Sequence, residues 1–283
     1  MKCVFVSDLH GKKERFELLE KALRKYEPDA LFLGGDLLPG FTRDKSKVKK
    51  FLSEYLIRPL QNIREGLKKE IRCFVIMGND DPRIFEDIFE GWDEDDVIDY
   101  VNLRCVEFGT FNVCGYSFVP PTPFQLKDWE KYDVSRFTDV GAVSPEEGTR
   151  TFEIDEREMK YDTIKKDLER LKDKSPPDKT IYLFHAPPYE TDLDRADLDG
   201  KEVDHAPLDV HVGSIAIKNF IQDEQPFLTL HGHVHETVDL TSSWECKIRN
   251  SVCFSGVTSG TGLAVVIFDT EDLKEASREI LTS

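Results

Sequence analysis

Short, almost wholly apolar runs alternate along most of the chain with segments whose apolar residues recur every three or four positions. "KCVFVS" (2–7), "DALFLG" (29–34) and "CFVIMG" (73–78) read as buried strands. Between them, residues 12–26 place Phe16, Leu19, Leu23 and Tyr26 on one helical face. Residues 44–58 do the same with Val48, Phe51, Leu52 and Tyr55, and Pro59 is expected to kink or end that helix before a shorter one. A hairpin-like stretch follows at 101–119, then a helix over about 156–172 on Tyr161, Ile164, Leu168 and Leu171, and a strand at "TIYLFH" (180–185). A helix over 214–222, started by Ser214, leads to the strand "PFLTLHG" (226–232), and "SVCFSG" (251–256) and "LAVVIFD" (263–269) close the chain. The alternation predicts a layered α/β protein with added antiparallel strands late in the sequence.

Residues 119–157 break this rhythm. Their prolines and the aromatics Phe124, Trp129, Tyr132 and Phe137 do not suit a flexible linker. We read an insertion that acts with residues 187–212 as a flap over the active site; the alternative is an aromatic cluster that only packs its own loop. With 283 residues and 39% hydrophobic content the chain can bury one large core or two modest ones, and a single domain over 1–283 carrying this insertion is expected.

The formal net charge of −17 disfavours nonspecific binding to nucleic acid or to an anionic membrane surface. No apolar run approaches the roughly 20 residues of a membrane span, and "MKCVFVSDLHG" lacks the apolar region of a signal peptide, so a cytoplasmic protein is expected. The six cysteines, Cys3, Cys73, Cys105, Cys114, Cys246 and Cys253, fall mostly in strand-like runs without a C-x-x-C pair, which predicts buried, reduced thiols.

The candidate chemistry lies where the buried strands stop. "VSDLHG" ends the first with Asp8 and His10, "LGGDLL" the second with Asp36, and "MGNDDP" the third with Asn79, Asp80 and Asp81. "LFHAPP" ends another with His185, and "LTLHGHVHE" (228–236) ends a fifth with His231, His233 and His235. In open α/β sheets the functional crevice lies beyond the carboxyl ends of the strands, so five separated segments converge on one cleft. In an extended segment residues i and i+2 share a side, so the alternating histidines aim imidazoles at one spot, as metal sites require. Carboxylate, imidazole and amide oxygen together suit divalent manganese, zinc or iron, and Asp36 can bridge two such ions. Two ions about 3.5–4 Å apart acidify water and clamp a phosphoryl displacement, and Gly34, Gly35, Gly78 and Gly232 allow close backbone approach. His231 is read as a hydrogen-bonded strand-end histidine and His205 as a surface residue. His211 precedes a helix start where free N–H groups favour anions, which makes it either a substrate-binding group or a loop histidine. Asp81 before Pro82 reads as an N-cap.

The ordered set D-x-H, G-D, G-N, a lone H and G-H-x-H, over residues 8 to 235, resembles the calcineurin-like metallophosphoesterase superfamily. The resemblance implies a four-layer α/β/β/α sandwich. It implies one metal held by Asp8, His10, Asp36 and His235, and a second held by Asp36, Asn79, His185 and His233. Many members read G-N-H-[DE] and G-D-x-x-D, whose histidine and second aspartate form a dyad by the leaving group; here those positions are Asp80 and Pro39. Smaller prokaryotic branches that lack the histidine are similar in this respect, and Asp80, water or a group from the insertion is left to protonate the leaving group. The resulting expectation is a phosphoesterase with two divalent ions, manganese first and zinc or iron as alternatives. It would hydrolyse a phosphomonoester or phosphodiester of a small soluble substrate by metal-bound hydroxide. The rivals are a nuclease, which would demand a basic groove and usually the missing histidine, and a non-catalytic scaffold like the retromer subunit of this fold. Oligomeric state is left open.

Overall fold

The computed structural model describes residues 1–40, 42 and 44–282. From the amino end the chain forms β1 (Lys2–Val6), α1 (Lys13–Tyr26), β2 (Ala30–Gly34), α2 (Lys45–Leu52), α3 (Arg58–Leu67), β3 (Arg72–Ile76), α4 (Glu86–Glu94) and β4 (Asp99–Tyr100). The hairpin β5 (Cys105–Phe108) and β6 (Phe111–Tyr116) follows, then α5 (Glu156–Tyr161), α6 (Ile164–Leu171), β7 (Thr180–Phe184), and the short pair β8 (Glu202–Val203) and β9 (Ala206–Pro207). The last part comprises α7 (Ile215–Glu224), β10 (Leu228–His231), α8 (Thr237–Thr241), β11 (Glu245–Ile248), β12 (Ser251–Ser255), β13 (Leu263–Asp269) and β14 (Asp272–Leu281).

Two six-stranded sheets result, ordered β14-β13-β1-β2-β3-β4 and β11-β12-β10-β7-β6-β5. In the first, β1 to β4 are parallel and β13 and β14 extend the edge antiparallel; in the second, β6, β7, β10 and β12 are parallel and β5 and β11 form antiparallel edges. The period of two along each strand decides the layers. Phe5, Phe32, Phe74, Ile181, Leu183, Leu230 and Phe254 face one another between the sheets. Their neighbours in sequence, including Val4, Leu31, Tyr182 and Phe184, face outward and are covered by Phe16 and Leu19 of α1, Leu60 of α3, Leu168 of α6 and Ile217 of α7. The product is the four-layer α/β/β/α sandwich. No helix among the described residues is long and apolar enough to cross a membrane.

Several local expectations change. Pro59 does not end its helix: α2 runs through a π-helical turn, Ser53–Ile57, into α3, and the widened turn absorbs the missing N–H of a proline in the first turn of α3. The helix placed at 156–172 breaks at Asp162, which is extended, and the Thr163 hydroxyl starts α6 afresh by accepting from the Lys166 N–H at 3.2 Å. The cysteines are not all reduced. Cys105 and Cys114 are direct partners in the β5–β6 register and are joined as a disulfide, because the hairpin brings their Cα atoms to 4.1 Å.

The insertion is anchored at two places. The fully buried Trp129 donates from Nε1 to the Asp81 carbonyl at 2.8 Å, and the Arg83 guanidinium lies over its ring at 4.9 Å. The Asp133 carboxylate accepts from Ser214 Oγ at 2.6 Å and from the Ile215 N–H at 2.7 Å, where α7 begins. The four aromatics do not make one cluster: Trp129 and Tyr132 are buried, whereas Phe124 and Phe137 are exposed. Residues 187–212 meet the insertion where Gly141 adjoins Leu208 and Val203. They also lie beside α8, whose Thr237 Oγ1 donates to the Asp192 carbonyl at 2.8 Å and accepts from the Arg195 N–H at 3.0 Å.

Trp129→Ala removes a filled site in this tie and is expected to lower unfolding free energy by about 3–5 kcal/mol. The shift of the urea midpoint measures it; a loss under about 1 kcal/mol would show that the insertion is not packed as described.

Candidate metal centre

The loops after β1 and β2 continue the parallel pairing beyond the strands. Asp8 N–H donates to the Gly35 carbonyl at 3.0 Å, His10 N–H to Asp36 at 2.7 Å, and Gly11 N–H to Leu37 at 3.1 Å. This lacing turns both loops back over the strand tips. Asp8, His10, Asp36 and His233 all adopt left-handed backbone, at φ 59°, 48°, 52° and 76°. Each such residue costs on the order of 1–3 kcal/mol and persists only where its surroundings hold it. Asp81 is one of the restraints. Its fully buried carboxylate accepts from the N–H groups of Leu37 at 2.9 Å, Leu38 at 2.8 Å and Gly78 at 3.0 Å. It is therefore a clamp between the β2 and β3 loops and not an N-cap; Asp128 instead accepts from the Arg83 N–H at 2.8 Å, where the next helical turn starts.

Five segments meet at the strand tips. His235 Nε2 lies 3.1 Å from Asp8 Oδ1 and 3.1 Å from His10 Nε2. His10 Nε2 is also 3.9 Å from Asp36 Oδ2. On the other side of Asp36, His185 Nε2 is 3.4 Å from the same Oδ2 and 3.0 Å from Asn79 Oδ1. The His233 ring is 5.3 Å from the His185 ring, and the backbone N–H of His233 donates to both Asp8 oxygens at 3.2 Å. Asp36 thus stands between the two groups that the resemblance implied. Asp8, His10 and His235; Asp8, Asp36 and His185; and His10, Asp36 and Asp80 each offer atoms within 4.8 Å of one another, so Asp8 also reaches both sides. Two glycines make room for the side chains: a Cβ on Gly78 would overlap the Asp36 carboxylate, and one on Gly232 would fall 2.7 Å from Asp8 Oδ2.

The histidine alternation carries less than it promised. The extended segment ends at His231, whose ring bonds away from the centre, with Nδ1 2.9 Å from the Ala186 carbonyl and Nε2 2.7 Å from Thr229 Oγ1. His233 and His235 arrive through a turn closed by Val234 N–H to the Gly232 carbonyl at 3.0 Å. His211 is tied to the fully buried Asp194, Nδ1 to Oδ1 at 2.8 Å, and sits beside Tyr189. The helix-start N–H groups expected to draw an anion to it are filled by Asp133. His205 is exposed. Asp80, half exposed, has Oδ2 3.4 Å from His10 Nδ1, and its N–H donates to Asp36 Oδ1 at 2.8 Å. Arg15 was missed altogether. It is buried on the apolar face of α1, donates to the Asp8 carbonyl, and reaches the Gly260 carbonyl at 2.8 Å. A charge inside the stripe with Leu18, Leu19 and Ala22 is the sequence signal for it.

These atoms are mostly acceptors gathered out of water, the condition a cation relieves. Burial alone would raise the Asp8 carboxyl, yet the His235 bond and the His185 and His10 charges hold it far below the ordinary range. Burial opposes charge on His185, but Asp36 and Asp8 raise it to about 10, and the ring faces acceptors on both sides, with Nδ1 2.7 Å from the Gly34 carbonyl. Burial and then the His185 charge keep His233 down at about 3. The donor set fits divalent cations, with Asp36 positioned to be shared.

A calcineurin-like phosphoesterase family model matches residues 1–237. One solved structure is 17% identical with 99% of each chain covered and a TM-score of 0.59. A second, the protein TT1561 of Thermus thermophilus, is 15% identical, with 99% of this chain and 98% of that chain covered and a TM-score of 0.57. At these identities the likeness concerns the fold. No curated protein matches the sequence.

The His185 proton sets a pH dependence. With its pKa raised to about 10, His185 holds a proton at neutral pH that a cation must displace, whereas His233, lowered to about 3, holds none. Metal affinity is therefore expected to rise with pH, by about tenfold per unit for each proton released. Manganese titration calorimetry in two buffers of different ionisation enthalpy counts the protons, and uptake or no release would contradict the assignment.

Proposed function

The chain belongs to the calcineurin-like phosphoesterase family, and we propose that within this family of metal-dependent phosphoester hydrolases it acts on small phosphorylated molecules in the cytoplasm. The observation that carries the reading is the position of Asp36, with His10 Nε2 3.9 Å and His185 Nε2 3.4 Å from one of its oxygens. Asp8, His10 and His235 would hold one divalent ion, Asn79, His185 and His233 the second, with Asp36 common to both. When bound, such ions neutralise phosphoryl charge and acidify water, in the manner of two-metal hydrolases. Manganese is the first candidate, and zinc and iron suit the same donors.

The chain's own residues do the rest. Asp81 and Arg15 keep the ligand loops in place, and the insertion with residues 187–212 forms the wall that selects the substrate. Asp80 takes the role of leaving-group acid: its carboxyl projects from the rim at the position where many relatives carry histidine, next to His10. The acidic surface, −17 overall, supports a small substrate over a polymeric nucleic acid. The scaffold reading is weakened because a platform has no need to bring these seven groups together.

With manganese, the protein is expected to hydrolyse p-nitrophenyl or bis-p-nitrophenyl phosphate, and Asp36→Asn to lower the rate by at least about a hundredfold. Silence on both esters after metal loading, with metal bound, would favour the scaffold. Asp80→Asn is expected to slow an alkyl phosphoester by on the order of a hundredfold while leaving p-nitrophenyl esters, whose leaving group needs no proton, within about threefold. Equal losses on both would remove Asp80 as the acid.

A further inference from the structure

The second sheet carries an opposed cysteine pair at each edge. Cys105 faces Cys114 in the β5–β6 register, and Cys246 faces Cys253 in β11–β12. The first pair is a disulfide, and the second is two thiols. Residues directly opposite in an antiparallel pair have Cβ atoms about 4.5–5.5 Å apart, so a small adjustment of the hairpin brings the sulfurs within bonding reach.

The surroundings of the thiol pair separate it from the other free cysteines. Cys3 and Cys73 are sealed inside the first sheet, where burial pushes the Cys73 thiol up to about 12 and raises Cys3 as well. Cys253 is also buried, but its partner Cys246 is partly exposed, which gives a small molecule access to one sulfur. On the next strand Cys253 is the register partner of Thr229, whose hydroxyl is 2.7 Å from His231 Nε2. His231 Nδ1 faces the Ala186 carbonyl at 2.9 Å, so both ring nitrogens are engaged beside the pair. Hydrogen bonding from Cys246, opposed by burial and reinforced by His231 and Thr229, holds the Cys253 thiol at about 5. A proton-sharing dithiol with one accessible sulfur thus lies on the outer face of the sheet, where no step of phosphoester hydrolysis uses it.

We propose that Cys246 and Cys253 are a redox-active dithiol that closes by exchange with a low-molecular-weight disulfide, such as glutathione disulfide, and reopens with the corresponding thiol. In the first step the Cys246 sulfur, its proton passing to the Cys253 thiolate, attacks the small disulfide; a mixed disulfide forms on Cys246 and one small thiolate leaves, to be protonated by solvent. In the second the Cys253 sulfur, its proton passing to the departing small thiolate, attacks the Cys246 sulfur and expels a second small thiol. The cysteine pair loses two electrons and one proton, and the small disulfide gains both, leaving as one thiol and one thiolate that solvent protonates. The inference stands apart from the phosphoesterase reading, since it involves none of the metal-centre side chains.

Peptide mapping of the folded, full-length protein tests it. Lys247 and Arg249 lie between the two cysteines, so trypsin separates them unless they are linked. After equilibration over a series of glutathione to glutathione disulfide ratios and acid quenching, the expected result is a cross-linked pair of peptides. It should be two hydrogens lighter than their sum, rise with the disulfide fraction, and reverse on dilution into excess glutathione. The double variant Cys105→Ser/Cys114→Ser should show the same link at the same midpoint, and Cys246→Ser should abolish it. Absence of the linked peptides at every ratio would overturn the proposal. So would accumulation of glutathione on Cys246 without closure, or a link that appears only after unfolding in urea.

Discussion

Three backbone N–H groups from two different loops end on the carboxylate of Asp81, and the geometry of the metal centre depends on that anchor. Leu37 and Leu38 follow Asp36, and Gly78 precedes Asn79, so one buried side chain fixes the spacing between the shared carboxylate and a ligand of the second ion. Burial and the nearby Asp36 charge raise the Asp81 carboxyl to about 7, against the pull of its backbone bonds. An acid held this far out of water is kept only where many donors converge on it. The left-handed conformations of Asp8, His10, Asp36 and His233 follow the same logic, because strained backbone survives where neighbours over-determine it.

Charge at the centre follows from this packing. Parallel strands end side by side, their loops turn inward, and carboxylates and imidazoles from distant parts of the chain are pressed together without enough protons to pair them. Arg15 lies behind Asp8 and supplies a fixed positive charge within the protein, but it binds the Asp8 carbonyl and leaves the carboxylate free to face inward. Against burial, the Asp36 and Asp8 charges raise the affinity of His185 for its proton, and the Asp8 bond raises that of His235. A cation replaces these protons most easily when the solution is not acidic.

Much of this was legible in the sequence because it rests on period and order. Buried strands are short and apolar, and the groups that end them are polar and of metal-ligand type; Asp8, His10, Asp36, Asn79, His185, His233 and His235 were placed together on that basis, and the structure brings them together. What was hidden depends on contacts between segments far apart. Asp81 resembles an N-cap by its local context, and only the approach of the β2 loop makes it a clamp. Trp129 gives no sign that its partner is the Asp81 carbonyl. The pairing of Cys105 with Cys114 requires the hairpin register, which depends on a turn at Gly109 that a count of cysteines does not contain. His231 shares the alternation of its neighbours, and the end of the strand at that residue separates it from them.

The insertion adds a constraint of a different kind. Trp129 ties it to the first sheet through the β3 loop, Asp133 ties it to the second through the start of α7, and its Gly141 region abuts residues 187–212. An element fastened to both sheets resists their displacement relative to one another. Of its aromatics, Trp129 and Tyr132 are buried in this fastening, and Phe124 and Phe137 stand exposed.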